Sequence, residues 1–442
     1  MATRRSIPLM SRPAYAGELT AAFLFSFVLA VIEGGVIGVF IKQTFSGTVD
    51  PRWLNVAVAL SAAANEVANL VSFGWVMASH GRRKVRFIAG LQCVLVAAVV
   101  ALAFMPRSAA GLAFTVGAVL VARVCWSGVV TLRTVAWRMN YPREIRSRVV
   151  ANLSSVTQTV VAVCGLMVGV MLDADPGAFA ALAPCAAAVA LLGVRRYSRV
   201  RVRGEAALLA GEREKPRGAG VLRPWSGFMA AWGVLRADAR FAQFMGCMFL
   251  LGMGNLMLMP VLAISLKAQF GLGYTASIVV TSTIPALLIP LTTPLWATLL
   301  DRAHVVRFRA YHSWVFVVAV AVLLGGVART DLWMMYAGSL LMGVGFGGGA
   351  LAWNLGHTDF APPTETSRYM ATHVTLNGVR GLFAPLLSVW LYNAVLEEGA
   401  WGMPPGVVPV GVSLVFTVLG AAGFVWLYRS MGEAGRNATK RG

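Results

Sequence analysis

Apolar residues fall along this chain in long blocks with short polar interruptions. Twelve blocks are read, at 17–41, 53–79, 85–105, 109–139, 148–172, 177–194, 241–266, 272–300, 306–327, 332–358, 366–394 and 405–428. Each is long enough to cross about 30 Å of hydrocarbon as a helix rising ~1.5 Å per residue. The strict apolar–polar alternation of a membrane β-strand is missing. The pattern predicts an all-α polytopic membrane protein with twelve transmembrane helices. A long basic stretch between the sixth and seventh blocks divides it into two six-helix bundles. These are an N-terminal bundle over 1–196, a cytoplasmic linker over 197–240 and a C-terminal bundle over 241–442. Within the linker, 203–220 reads as a solvated connector and 225–241 as an amphipathic helix on the membrane surface.

Composition agrees: 58% of residues are hydrophobic and 13% charged, far more apolar surface than a water-soluble core needs. A net charge of +20 would suit a nucleic-acid binder, but its distribution says otherwise. Lys and Arg gather in the N-terminal tail, the linker (Lys215 and Arg217 among them) and the loops of one side. The loops of the other side hold Lys42, Arg52, Arg107, Lys267 and Arg329. Positive charge marks the cytoplasmic side of a plasma (inner) membrane protein, so both termini are expected there and no nucleic-acid partner is expected. The first apolar block is too long for a cleavable signal. The five cysteines stand singly, without CxxC or metal-type spacing, and read as buried free thiols. Met253 and Met257, one turn apart in the seventh block, read as flexible filler rather than copper(I) ligands. No metal or cofactor is expected.

Polar residues inside these blocks are costly and by default mark function. Glu33, followed by Gly34 and Gly35, lies in the first block, and Asn65, Glu66 and Asn69 lie in the second. In the fourth, Arg123, Ser127, Thr131, Thr134 and Arg138 form one helical stripe, and Trp126, Val130, Arg133 and Trp137 form its neighbour. Asn152, Ser155, Gln158 and Thr159 line the fifth block, and Asn255 lies in the seventh. Asn354, His357 and Asp359 close the tenth. Tyr369, His373, Asn377 and Arg380 step along one face of the eleventh. The halves also repeat each other: Ala136-Trp137 with RSRVVAN at 146–152 is answered by Ala352-Trp353 with TSRYMAT at 366–372. Paired halves with intramembrane charges are the signature of a secondary transporter. The repeat sets Ser339 opposite Arg123 and Val160 opposite Arg380, so these arginines are additions to the shared scaffold.

The loop GWVMASHGRRKV (74–85) resembles the signature between the second and third helices of the major facilitator superfamily. Gly74, Gly81, Arg82 and Arg83 fit it, while Ala78 and Ser79 stand in place of its usual Asp-Arg pair. The second half keeps Asp301 and Arg302 without the glycines. Aligning Trp75 with Trp296 also aligns the Val-Arg-Phe runs at 85–87 and 306–308. The resemblance implies that these loops latch the bundles, and that helices 1, 4, 7 and 10 line a central cavity. Glu33 with Arg123 resembles the helix 1 acid and helix 4 arginine of proton-coupled members, with Glu66 as a second acid or a structural pair. Gly165-x-x-x-Gly169 is followed by Val170, a departure from the drug/proton antiporters. Arg123, Arg133, Gln158, Asn255, Asn354, His373, Asn377 and Arg380 are the expected substrate contacts.

Three arginines against two acids leave a positive charge to receive a carboxylate or phosphate. The sequence thus predicts a monomeric, proton-coupled transporter of a small polar or anionic organic solute. Proton-driven efflux of amphipathic compounds past Trp126, Trp137 and Trp353 is the alternative, and a non-transporting sensor or assembly subunit a more distant one. No nucleophile–base pair marks an enzyme.

Overall fold

The apolar blocks become helices in the computed structural model, which describes residues 7–214, 224–362, 365–398 and 402–431. The basic N-terminal residues, the linker's Lys215 and Arg217 and the C-terminal tail lie outside the described residues. The first block forms α1 (Arg12–Val31) and α2 (Gly34–Thr44), the second α3 (Pro51–Leu70) and α4 (Ser72–Ala78). Then come α5 (Lys84–Leu102), α6 (Ala109–Asn140), α7 (Arg143–Ala174) and α8 (Phe179–Ser198). The linker carries α9 (Glu205–Glu214) and α10 (Pro224–Ala237). The second half begins with α11 (Ala239–Ala268) and α12 (Tyr274–Ile278). A π-helical turn over Val279–Thr283 leads into α13 (Ile284–Asp301), and α14 (Val305–Arg329), α15 (Leu332–Leu355), α16 (Thr366–Glu398) and α17 (Val407–Ser430) complete it.

Among the described residues, eleven helices are long and apolar enough to cross a membrane. The twelfth span is α3 continued by α4, whose Asn55, Asn65, Glu66 and Asn69 lower its hydropathy. The linker departs from expectation twice. Residues 205–214 are helical rather than a plain connector. The amphipathic helix stops at Ala237, because Asp238 turns out of it and accepts the Phe241 amide at 2.9 Å to start α11.

The chain divides into two compact units, Met1–Glu33 with Ala68–Leu222, and Gly34–Val67 with Arg223–Gly442. In the first, α1 packs on α7 and α8, and α5 on α6 and α8. In the second, α11 packs on α16 and α17, α14 on α15 and α17, and α13 on α15, while α2 packs on α11, α12 and the π turn. Lipid-facing positions stay apolar: Leu295, Trp333 and Trp390 are all exposed. Cys93 and Cys185 lie on exposed faces too, so only Cys125 and Cys247 of the five thiols are fully buried. An exposed thiol on a helix bathed in lipid carries no solvation cost that would drive it inward.

The internal repeat reappears as packing. Trp75 donates its indole N–H to the Val124 carbonyl at 3.0 Å, and Trp296 donates to Val344 at 2.8 Å. Each indole meets the edge of a phenylalanine, Phe87 at 6.2 Å and Phe308 at 5.9 Å between centroids. Each also packs against a glycine of the helix it bonds: a β-carbon at Gly128 would sit 2.9 Å from Trp75, and one at Gly348 2.9 Å from Trp296. A tryptophan, a carbonyl, a phenylalanine and a glycine recur in the same relation in both units.

Candidate functional site

Three of the expected site residues meet inside the second unit. Glu66 on α3 accepts a short hydrogen bond from the Asn377 amide, and Arg380 donates another to the Asn377 oxygen. Asn377 and Arg380 are three residues apart on α16 and so share a face. Arg380 also donates to the Met248 carbonyl on α11 at 2.6 Å, and Asn65 donates to the other Glu66 oxygen at 3.1 Å. An amide that accepts from a guanidinium and donates to a carboxylate links the two charges through its own dipole. Glycine makes the room. A methyl at Gly252 would overlap the Arg380 guanidinium, and one at Gly381 would overlap the Glu66 side chain. Because residue 252 lacks a side chain, the Met248 carbonyl one turn earlier is open to Arg380.

The second constellation is built on a break. The first span is interrupted at Ile32–Glu33, where Ile32 has φ −100 and ψ 5. The freed Ile32 carbonyl accepts a short hydrogen bond from Arg123 on α6. A carbonyl loosened from its helix inside a membrane needs such a donor, and a discontinuous helix facing a charge is how transporters build ion and substrate sites. Glu33 is the next residue in the chain, so Arg123 and Glu33 are brought to the same break. Gly35, just beyond, lies against the Thr281 carbonyl of the π turn, where a β-carbon would stand only 2.8 Å away. Local π geometry is itself frequent at functional sites. Asn255 borders a small cavity of about 30 Å³ with Thr281 and Ser339.

Arg133 lies over two indoles, 5.4 Å from Trp126 and 4.7 Å from Trp137. Beside it is Glu18, which sequence reasoning passed over. It is 3% exposed and accepts from Trp137 at 2.6 Å and from the Tyr141 hydroxyl at 2.9 Å. Arg133 acts on it electrostatically. The signal was there: an acid inside the first apolar block.

Of the remaining expected contacts, His373 lies one turn before Asn377 on α16, and Arg380 acts on it electrostatically. Gln158 is half-buried on α7, and Asn354 is exposed and bonds the Ala350 carbonyl of its own helix. His373 is 1% exposed and packs on Trp353 at 5.3 Å. A buried pair on α14 was also missed. Arg309 lies 3.4 Å from His312 Nδ1, and His312 Nε2 is 2.9 Å from the Gly345 carbonyl. A carbonyl only accepts, so Nε2 carries the proton and Nδ1 is left to accept from Arg309.

The sequence pattern of the Major Facilitator Superfamily matches residues 20–385. The chain belongs to this superfamily. Solved structures of the same fold include a D-xylose-proton symporter, at 13% identity and TM-score 0.71 over 97% of this chain and 100% of that one. The nucleoside transporter NupG (a mutant form) has 12% identity and TM-score 0.67 over 94% and 99%. An auto-inhibited POT family peptide transporter has 15% identity and TM-score 0.67 over 98% and 99%. No curated protein matches the sequence.

The loop after α4 is fastened from the linker. Glu212 on α9 accepts from the Gly81 amide and from Lys84 Nζ, both at 2.8 Å. Lys84 also donates to the Ser79 carbonyl at 2.7 Å, and Arg83 lies 3.9 Å from Glu205 at the other end of α9. Gly81 has φ +68, the left-handed turn that only glycine adopts cheaply and that aims its N–H outward after α4. Arg82 instead covers the Phe87 ring at 5.8 Å, and Gly74 is exposed. In the second copy Asp301 and Arg302 are exposed, and Asp359 supports the start of α14 through the Val305 amide at 2.8 Å.

Burial pushes the Glu212 carboxyl up, but the bonds from Lys84 and Gly81 outweigh it and hold the group below its ordinary 4.5. A lowered folded value means that its contribution is complete above the ordinary value and is lost as pH falls through the lowered one. Glu212→Ala is expected to loosen α9 by about 1 kcal/mol, read as faster proteolysis within 205–214 at neutral pH. The wild type should show the same loosening only in acid. Equal cleavage of variant and wild type at neutral pH would show that Glu212 does not hold the loop after α4.

Proposed function

We propose that this protein is a proton-coupled secondary transporter. It would carry a small polar or anionic organic solute across the plasma (inner) membrane as a monomer, with both termini in the cytoplasm. The observation that carries this reading is the Arg123 bond to the Ile32 carbonyl at the break beside Glu33. It sets a fixed cation on the carbonyl of a broken helix, next in the chain to an acid. On this reading a proton on Glu33 would change how strongly Arg123 is held, and a helix already broken there can respond. The D-xylose-proton symporter of the same fold is a precedent for such coupling. Alternating access would come from rocking 1–196 against 241–442 about the linker. With the termini inside, the packing of α2 on α11 and α12 reads as a closed outer gate. Trp126 stacks on Phe25, Trp137 bonds Glu18 and Trp353 meets His373, so the rings are occupied in a way that favours a polar cargo over efflux of amphipathic compounds.

The test uses purified protein in weak buffer, titrated with small organic anions and, separately, amphipathic cations while pH is recorded. One class should release or take up protons, and Glu33→Gln should abolish that signal while leaving ligand-induced thermal stabilisation measurable. Stabilisation of the wild type without proton movement would replace this reading with a facilitator or a sodium-coupled transporter.

A further inference from the structure

Where the linker enters the second unit, α10, α11 and α16 enclose an open groove of about 520 Å³. Trp232, Leu235 and Arg236 line one side, and Met245, Gly246 and Phe249 form much of the other. The volume lies within the range that holds a small ligand, about 300–1,000 Å³. Its lining is apolar except for one group, the Arg236 guanidinium, which lies 5.0 Å over the Trp232 ring.

Between Met229 and Arg236, α10 has a buried side and an exposed one. Ala231 and Val234 are buried, while Met229 is 69% and Trp232 53% exposed. Met229, Trp232 and Arg236 recur at steps of three and four, so they form one stripe about two turns long, apolar over its first turn and ending in a cation. Arg240, in the first turn of α11, is exposed just beyond. An apolar stripe that ends in guanidinium at the beginning of a membrane span has the polarity of a single lipid, tail along the helices and headgroup at the charged end. Gly246 keeps the groove open, since nothing lies within 4 Å of where its β-carbon would stand. A side chain there would fill the groove rather than collide with a wall.

We propose that this groove is a binding site for one anionic phospholipid, its acyl chain lying between α10 and α11 and its phosphate on Arg236. The lipid would then tie the linker helix to the second unit, whatever solute the protein carries. The juxtaposition of charge and groove separates this from the nonspecific immersion of an amphipathic helix, which needs no cavity. A guanidinium over an indole keeps its N–H donors free at the edge, the geometry for phosphate.

The experiment is native mass spectrometry of the full chain, stripped of lipid in detergent and then supplied with phosphatidylglycerol or phosphatidylcholine of the same acyl chains. The wild type is expected to hold one phosphatidylglycerol in preference to phosphatidylcholine. Arg236→Gln should weaken that lipid about fivefold, the effect of one surface arginine on an anionic lipid, and reduce the preference between headgroups. Gly246→Leu should lower retention of both lipids by occupying the groove. Arg429→Gln, an equally exposed arginine at the end of α17, should change neither. Thermal unfolding of each variant in detergent alone checks that the fold is kept. Equal retention of the two lipids by wild type, or retention by Arg236→Gln and Gly246→Leu that matches wild type, would overturn the proposal.

Discussion

Arg380→Met is expected to destabilise the folded protein by about 3 kcal/mol, because it removes the cation that the Glu66–Asn377 bridge serves while leaving the acid in place. Asn377 keeps its bond to Glu66 but loses the partner that polarises its oxygen, and the Met248 carbonyl loses a 2.6 Å donor. Glu66→Gln should cost less. The amide still accepts from Asn377, and Arg380 keeps Asn377 and Met248. The pair removed together, Glu66→Gln/Arg380→Met, should recover most of the loss, since exchanging a charged pair, here with Arg380 buried and Glu66 half-buried, for neutral groups of similar size is often near neutral. Thermal unfolding of the four proteins in one detergent closes the cycle. A coupling near zero would mean that Glu66 and Arg380 are solvated independently, and the α3–α16 bridge would not be a charged one.

Gly348→Ala should be the most damaging methyl insertion in the chain's repeated packing motif, at ~2–3 kcal/mol. The new carbon would stand 2.9 Å from Trp296 and press on the His312 ring as well. Neither ring retreats freely: Trp296 is fixed by Val344 at 2.8 Å and His312 by Gly345 at 2.9 Å. Gly128→Ala, its counterpart, first meets the end of Leu91 at 2.6 Å, with Trp75 at 2.9 Å. A leucine methyl can turn away, so about 1 kcal/mol is expected there. Matched thermal unfolding of the two variants decides the matter. Equal losses would show that His312 is no firmer a wall than Leu91, and the asymmetry between the two units would have to lie elsewhere.

Hydropathy made the spans legible because lipid imposes one rule on every residue of a crossing helix. Even the polar second span could be read, since its asparagines and Glu66 are carried on a helix otherwise rich in Ala, Val and Leu. The break in the first span could not. Its apolar run continues across Ile32, and what answers the freed carbonyl is an arginine 91 residues away, donating to a backbone atom that every residue type possesses. The steps of the eleventh block put Asn377 and Arg380 on one face, yet their acid comes from 311 residues earlier. Periodicity places residues on a face but does not choose the helix opposite. Helix α9 was hidden for a related reason. Its apolar residues run consecutively over 206–210 rather than at helical spacing, and it is held instead by Glu212 on Gly81 and Lys84 and by Glu205 near Arg83, far back in the chain. Glu18 was masked by its position, at the very start of a block where an acid looks like an interface residue.

The hold of Glu212 on the loop after α4 makes the linker a measured spacer. An α-helix turns about 100° and advances ~1.5 Å with each residue. One residue inserted between Ser198 and Glu205 would therefore be absorbed by the turn at Gly204, which has φ +63, whereas one inserted within 206–211 would swing Glu212 a quarter-turn or more away from Lys84. Chain length in this segment is thus under a phase constraint at one position and free at another a few residues away. A loop fastened by an acid on a helix far along the chain has made its fastening depend on counting.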